Sequence, residues 1–113
     1  MGALRIAAEL KRDSARIGTN PEQLFAAGWS ASFESAIGLA APKIKIALLV
    51  DPTADAEVDL IQTDDGYVLR ARLNISLPGL DCEVARILIE EAHRTCPYSK
   101  ATCGNIDVAI SPT

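Results

Sequence analysis

One long, almost wholly apolar segment that ends at Pro42 constrains the fold more than any other part of the chain. Asn20 is a favourable N-cap before it, Pro21 suits the first helical position, and Gln23 completes a capping box. We expect a helix from there to about Ala41, because proline cannot continue the backbone hydrogen bonding. Apolar or small residues occupy nearly every face, so this helix should be central and buried all round.

Alternating hydrophobicity predicts strands on both sides of this helix. The predicted strands are residues 4–10, 43–50, 56–63, 67–77 and 106–110, and the third and fourth should form a hairpin turning at 64–66. A second helix should begin after Asp81, end near residues 93–95, and bury a stripe of Val84, Ile87, Leu88 and Ala92. The order predicts a single α+β domain over residues 1–113 with a largely antiparallel sheet.

Charge and composition exclude several classes of protein. The net charge of −4 argues against nucleic acid as a partner, because phosphate binding needs clustered Lys and Arg. No apolar run approaches the roughly 20 residues that span a bilayer, and the first residues show no secretory pattern. Three cysteines, an odd number, fit a reducing compartment, so we expect a soluble cytoplasmic protein.

Cys96 is the most chemically suggestive residue. With Pro97 at the first position of a short helical turn, Cys96 becomes its N-cap, where the helix dipole favours a thiolate. His93, Arg94 and Lys100 lie near in sequence and would add positive potential. The alternative is a buried structural thiol, the usual fate of a free cysteine.

The polar and small residues of the long helix have ordinary explanations. A serine in mid-helix, such as Ser32, usually bonds the carbonyl four residues back, here that of Gly28. Gly28 itself suggests close approach of another backbone. The spacing of His93, Cys96 and Cys103 matches no common zinc pattern, so we expect no metal.

Three blocks of sequence nevertheless set Ser32 apart: "GTNPEQLFAAGWSASF", "SLPGLD" and "AHRTCPYSKATCGNIDV". In order and separation they closely resemble the organic hydroperoxide resistance (Ohr) proteins of the OsmC superfamily. The resemblance runs from about Leu4 to the C-terminus. It implies an α+β domain that forms an intertwined homodimer with its two long helices at the centre.

The resemblance also implies an activity and a set of site residues. The family reduces organic hydroperoxides in oxidative stress defence by a two-cysteine peroxidase mechanism, which a lipoyl-type dithiol recycles without a bound cofactor. Ser32 matches the attacking (peroxidatic) cysteine, and Cys96 matches the resolving cysteine. Glu22 matches a carboxylate that helps to orient an arginine near the attacking thiolate.

Two departures from the family pattern lower the expected activity. Oxygen replaces sulfur at Ser32, and an alcohol supplies neither a thiolate nor a sulfenic acid. The family usually has a further N-terminal hairpin that supplies the arginine, and none of Arg5, Arg12 and Arg16 matches its motif. We therefore expect an impaired peroxidase or, alternatively, a non-catalytic dimer that binds apolar, lipid-like ligands. A Ser32-dependent hydrolase is disfavoured, since a nucleophilic serine needs a base and His93 is the only histidine.

Overall fold

The computed structural model describes residues 20–113, which form three helices and one three-stranded sheet. In chain order the elements are α1 (Pro21–Lys43), β1 (Thr53–Thr63), β2 (Gly66–Ser76), α2 (Cys82–Thr95), α3 (Pro97–Thr102) and β3 (Asp107–Pro112). The predicted strand at residues 4–10 and the three N-terminal arginines lie outside the described residues. The α+β fold class is confirmed.

Helix α1 begins as the sequence predicts. The side chain of Asn20 accepts the Gln23 backbone N–H at 2.8 Å, and the Gln23 side chain accepts the Asn20 backbone N–H at 3.2 Å. The helix ends at Lys43, two residues later than expected, with Pro42 inside its last turn. Proline is tolerated there because only one intrahelical hydrogen bond is lost so close to the end.

The strand predicted at residues 43–50 is wrong. Lys45 has a left-handed φ of 61°, its N–H bonds the Pro42 carbonyl at 3.1 Å, and the Ile46 N–H bonds the Ala41 carbonyl at 2.8 Å. This pair of bonds is a Schellman motif, which satisfies the last carbonyls of α1. The alternating residues Ile44, Ile46 and Leu48 do pack against the core, but without strand geometry.

The sheet has the order β1-β2-β3 and mixes two kinds of pairing. Strands β1 and β2 form the predicted antiparallel hairpin, in register from Thr53 opposite Ser76 to Thr63 opposite Gly66. Strand β3 pairs with β2 in parallel, with Arg70 opposite Asp107 and Ile75 opposite Pro112. The parallel pair arises because α2 and α3 form the crossover between these two strands.

The core lies between one face of the sheet, α1 and α2. In β2 the inward residues Ala71, Leu73 and Ile75 are buried, as their alternation predicts, while Arg70 and Arg72 face outward. The outward arginines pair with Glu57 and Asp59 of β1. These ion pairs are exposed, so they contribute little to stability.

The buried stripe of α2 differs in part from the prediction. Leu88 and Ala92 are buried as expected, together with Ala85 and Ile89. The predicted Val84 is only half-buried, and the predicted Ile87 is exposed. The observed stripe follows the helical spacing 85, 88, 89 and 92, which faces a slightly different direction from the predicted stripe and leaves Ile87 on the exposed side.

Candidate functional site

The structure places Ser32 and Cys96 in contact. Ser32 is half-buried on α1, and Cys96 is fully buried at the junction that ends α2 and begins α3. The Ser32 Oγ and the Cys96 Sγ lie 3.4 Å apart, within hydrogen-bonding range for sulfur. Two residues 64 positions apart in the sequence therefore form one polar pair inside a largely apolar region.

Backbone hydrogen bonds fix Cys96 at this junction. Its N–H donates to the Ala92 carbonyl at 2.8 Å, and its carbonyl accepts the Lys100 N–H at 2.9 Å. The predicted N-cap position is confirmed, with Pro97 at the start of α3. The thiol forms no capping hydrogen bond and points towards Ser32 instead.

The ordinary explanations offered for Ser32 and Gly28 do not describe these positions. The Ser32 hydroxyl has Cys96 Sγ as its partner rather than the Gly28 carbonyl. At Gly28 the close neighbour is a side chain and not a backbone, because a Cβ there would lie 2.7 Å from the Tyr98 hydroxyl oxygen. Both positions on α1 are therefore shaped by the segment that follows α2.

A cleft of about 360 Å³ opens beside the pair, between α1 and the end of α2. Its α1 wall is a single stripe with helical spacing, which no motif in the sequence indicated. The cleft is lined by Ser32, Ser35, Ala36, Leu39, Ala40 and Lys43 of α1, and by Glu91, Thr95 and Pro97 opposite. The middle of the stripe is apolar, so the cleft has an apolar wall with polar groups at both ends.

Charged side chains mark the end of the cleft remote from Ser32. Arg94 donates a hydrogen bond to Glu91 at 3.2 Å, and this bond lowers the pKa of the Glu91 carboxyl below its usual value. The positive charge of Lys43 acts in the same direction. Glu91 is therefore ionised at neutral pH, and this end of the cleft carries charges of both signs.

His93 does not supply the positive potential near Cys96 that its sequence position suggested. Its Nδ1 is buried and has no hydrogen-bond partner among residues 20–113, and its ring lies 6.4 Å from that of Phe33, measured between centroids. Burial lowers the pKa of the imidazole, because the charged form loses hydration. At neutral pH the ring is uncharged, so Cys96 gains no charge from it.

Glu22 is not brought to the Ser32–Cys96 pair within one chain. It lies half-buried in the first turn of α1, ten residues before Ser32, which corresponds to about 15 Å along a helix axis. It lines a separate groove of about 450 Å³ with Ala26 and the Ala56–Leu60 part of β1. Its orienting role stays a prediction.

The other two thiols lie outside the cleft. Cys82 and Cys103 are both exposed, in contrast to Cys96. Across residues 20–113 no cluster of three or more His, Cys, Asp or Glu side chains is arranged to hold a metal ion. In the same range no helix is long and apolar enough to cross a membrane.

Comparison with known proteins places this geometry in a family. An organic hydroperoxide resistance protein of Xanthomonas axonopodis pv. citri is 43% identical over 94 residues, which cover 83% of this chain and 66% of that relative. The protein OhrA of Bacillus subtilis, also named for organic hydroperoxide resistance, is 42% identical over 92 residues, covering 81% of this chain and 65% of its own length. The chain thus spans just under two thirds of these relatives.

The structural comparison agrees with the sequence comparison. The crystal structure of an organic hydroperoxide resistance protein from Legionella pneumophila matches with a TM-score of 0.82 and 44% identity, covering 87% of this chain and 72% of that one. Residues 12–111 match the sequence pattern of the OsmC-like proteins. Nearly the whole chain is included in that match, and the chain therefore belongs to the OsmC-like protein family.

Proposed function

We propose that this domain carries a site of the organic hydroperoxide resistance type, in which residue 32 is the attacking position and Cys96 the resolving thiol. The observation that supports this most directly is the 3.4 Å contact between Ser32 Oγ and Cys96 Sγ at the end of the cleft. Relatives named for organic hydroperoxide resistance support the same assignment. The role would be defence against oxidative stress.

The proposed reaction needs a sulfur atom at each of the two positions. A thiolate at position 32 attacks the peroxide oxygen, the O–O bond breaks, and an alcohol leaves after taking a proton. The attacking sulfur is thereby oxidised to a sulfenic acid. The Cys96 thiol then attacks that sulfur, which forms a disulfide and releases water. A lipoyl-type dithiol reduces the disulfide and is itself oxidised to a disulfide.

This chain has no sulfur at position 32, where the attacking thiolate is needed. The Ser32 hydroxyl is far less acidic than a thiol, so almost no alkoxide is present at neutral pH. An alcohol also forms no sulfenic acid. We therefore propose that this chain keeps the shape of the site and is inactive or severely impaired in peroxide reduction.

Restoring the thiol tests this function. We expect Ser32→Cys to fold, since the change replaces one atom, and to form a disulfide with Cys96 when treated with cumene hydroperoxide. Peptide mapping detects the disulfide, and turnover with dihydrolipoamide should rise well above that of the unchanged chain. Ser35→Cys is the matched control, because Ser35 lines the same cleft while the hydrogen bond to Cys96 comes from Ser32.

A folded Ser32→Cys variant without peroxide-induced disulfide would contradict the proposal. So would a Ser35→Cys variant that reacts equally well, since any cleft thiol would then suffice. In either case the contact between position 32 and Cys96 would not be a reacting pair.

The apolar wall of the cleft favours a second candidate function, the binding of apolar or lipid-like ligands without chemistry. Leu39 lines this wall and is 70% exposed. Under this alternative, Leu39→Glu should abolish binding of an apolar fluorescent probe, while Ile87→Glu, at an exposed apolar position outside the cleft, should not. Probe binding without any turnover by Ser32→Cys would favour this alternative.

We also propose that the protein works as a homodimer. Large apolar side chains stay exposed in the single chain, among them Leu39, Leu49 and Val50, with exposed fractions of 70%, 83% and 53%. Apolar surface of this kind commonly marks an interface. Light scattering at micromolar concentration should give twice the mass of one chain, and Leu49→Asp should shift the protein towards the mass of one. A clean monomer at high concentration would contradict the proposal.

A further inference from the structure

A second set of contacts between α1 and α3 lies one turn before Ser32. The Trp29 indole Nε1–H donates a hydrogen bond to the Ser99 hydroxyl at 3.2 Å, and both side chains are buried. The bond joins residues 70 positions apart in the chain. A buried donor that loses its acceptor is costly, so this bond strongly favours one placement of α3 against α1.

The neighbouring Tyr98 adds a close aromatic contact. Its ring lies 5.9 Å from that of Phe25, which in turn lies 5.5 Å from that of Trp29, measured between centroids. Its hydroxyl occupies the space where a side chain on Gly28 would begin, 2.7 Å from an ideal Cβ. The missing Cβ of Gly28 is therefore what allows Tyr98 to lie against α1.

We propose that these five residues form a clamp that positions the Cys96 thiol against residue 32. The clamp consists of Phe25, Gly28 and Trp29 on α1, with Tyr98 and Ser99 on α3. Cys96 is the N-cap of α3, two residues before Tyr98, so any displacement of α3 moves its thiol. The clamp residues are positioning residues, and their importance for reactivity rests on the proposed function.

The alternative is that these contacts serve general stability alone. Gly28→Ala separates the two possibilities, because its two effects have opposite directions. An alanine favours the helical state of α1 over glycine. Its methyl group also forces the far end of Tyr98 to move. If the clamp exists, Gly28→Ala should weaken the Tyr98 contact although it strengthens the helix that carries it.

Gly38→Ala is the matched control on the same helix, since a Cβ there would meet no atom within 4 Å. Alkylation of Cys96 by iodoacetamide, followed by peptide mass spectrometry under native conditions, reports how often the thiol becomes accessible. We expect Gly28→Ala to raise this rate by about fivefold, as a modest local destabilisation does, and Gly38→Ala to leave it unchanged. Equal rates in the two variants would overturn the proposal.

A second pair of variants covers the case in which Gly28→Ala lowers overall stability. Ser99→Ala removes the hydrogen bond without adding volume, and Ile75→Val trims a buried residue of β2 that is not part of the clamp. For the same decrease in urea midpoint, Ser99→Ala should raise the rate of Cys96 alkylation several times more than Ile75→Val does. If alkylation follows the midpoint equally in both, the contacts are merely structural and the proposal fails.

These results can be separated from those on the proposed function. If Ser32→Cys forms the disulfide but the clamp variants change neither its yield nor Cys96 alkylation, the clamp is refuted and the function stands. If Ser32→Cys forms no disulfide while the clamp variants still expose Cys96, the clamp stands and the peroxidase assignment falls.

Discussion

Ser30 and Ser32 lie two residues apart on α1, and their hydroxyls face different parts of the molecule. A two-residue step turns the side chain by about 200° around a helix. The Ser30 Oγ accepts the Ala56 backbone N–H of β1 at 3.0 Å, whereas the Ser32 Oγ contacts the Cys96 thiol at 3.4 Å. One hydroxyl completes the backbone hydrogen bonding of a strand, and the other stands next to a thiol at the end of a cleft.

Glu34 extends the contrast on the side of β1. Its carboxylate accepts the Ala54 N–H at 2.8 Å, one helical turn after Ser30. Polar residues in an apolar helix therefore have two distinct explanations in this protein. Those facing β1 satisfy buried or half-buried backbone groups, while Ser32 satisfies none, which leaves its position open to chemistry.

The largest expected effect is the slow alkylation of the buried Cys96 thiol, on the side of α1 that faces the cleft. Cys96 is buried while Cys82 and Cys103 are exposed, which reverses the reactivity expected from the N-cap position alone. We expect native alkylation of Cys96 to be roughly a hundredfold slower than that of Cys103, corresponding to a local opening of about 2.8 kcal/mol. Peptide mass spectrometry over time measures both rates. Faster labelling of Cys96 would mean that this side is open in solution.

The next effect tests the side facing β1. Glu34→Ala should lower the free energy of unfolding by about 2 kcal/mol, because the Ala54 N–H loses a charged acceptor. Urea denaturation measures the change. Glu90→Ala is a suitable control, since Glu90 forms an exposed ion pair with Arg86 and should cost less than about 1 kcal/mol.

Replacing each serine by alanine tests the comparison directly. Ser30→Ala should cost about 1 kcal/mol, because the Ala56 N–H loses its acceptor, and Ser32→Ala should cost less than about 0.5 kcal/mol. Both changes are made on the same helix, so the gain in helix propensity is similar and cancels. If Ser32→Ala is the more destabilising of the two in urea, the proposed division between the two faces is wrong.

The smallest expected effect is a pH dependence on the cleft side. Burial holds the pKa of His93 below its ordinary value of 6.5, so the unfolded chain binds the proton more readily than the folded one. Stability should therefore fall as the pH drops below about 6.5, whereas Glu57 and Glu91, with lowered pKa values, matter only in more acidic solution. His93→Gln should reduce the change of the urea midpoint between pH 7.5 and pH 5. An unchanged slope would show that His93 is not its source.

Features set by neighbouring residues were predictable from the sequence. The capping box at Asn20, the hairpin turn and the alternation along β2 depend on local backbone chemistry, and each is confirmed. The prediction of a strand at residues 43–50 was wrong because alternation shows which side chains are buried but not whether a partner strand exists. Lys45 also adopts the left-handed conformation that glycine usually occupies at the end of a helix. Because no glycine is present there, the sequence did not indicate the turn after α1.

The sequence singled out candidate site residues, whose roles stay predictions, but it did not predict the contacts around them. The resemblance singled out Ser32, Cys96 and Glu22, and the fold brings the first two together. That Gly28 accommodates Tyr98, that Trp29 bonds Ser99, and that Ser30 rather than Ser32 serves the backbone all depend on contacts distant in sequence. No local pattern distinguishes two serines that differ only in the direction they face.

The hydrogen bonds from β1 to Glu34 and Ser30 have a consequence for self-association. Among the strands of residues 20–113, β1 lies at an edge of the sheet, and an edge with free N–H groups can template strands from other molecules. Side chains of α1 occupy the Ala54 and Ala56 N–H groups before another chain can reach them. Helix α1 therefore covers the beginning of this strand edge as well as forming one wall of the cleft.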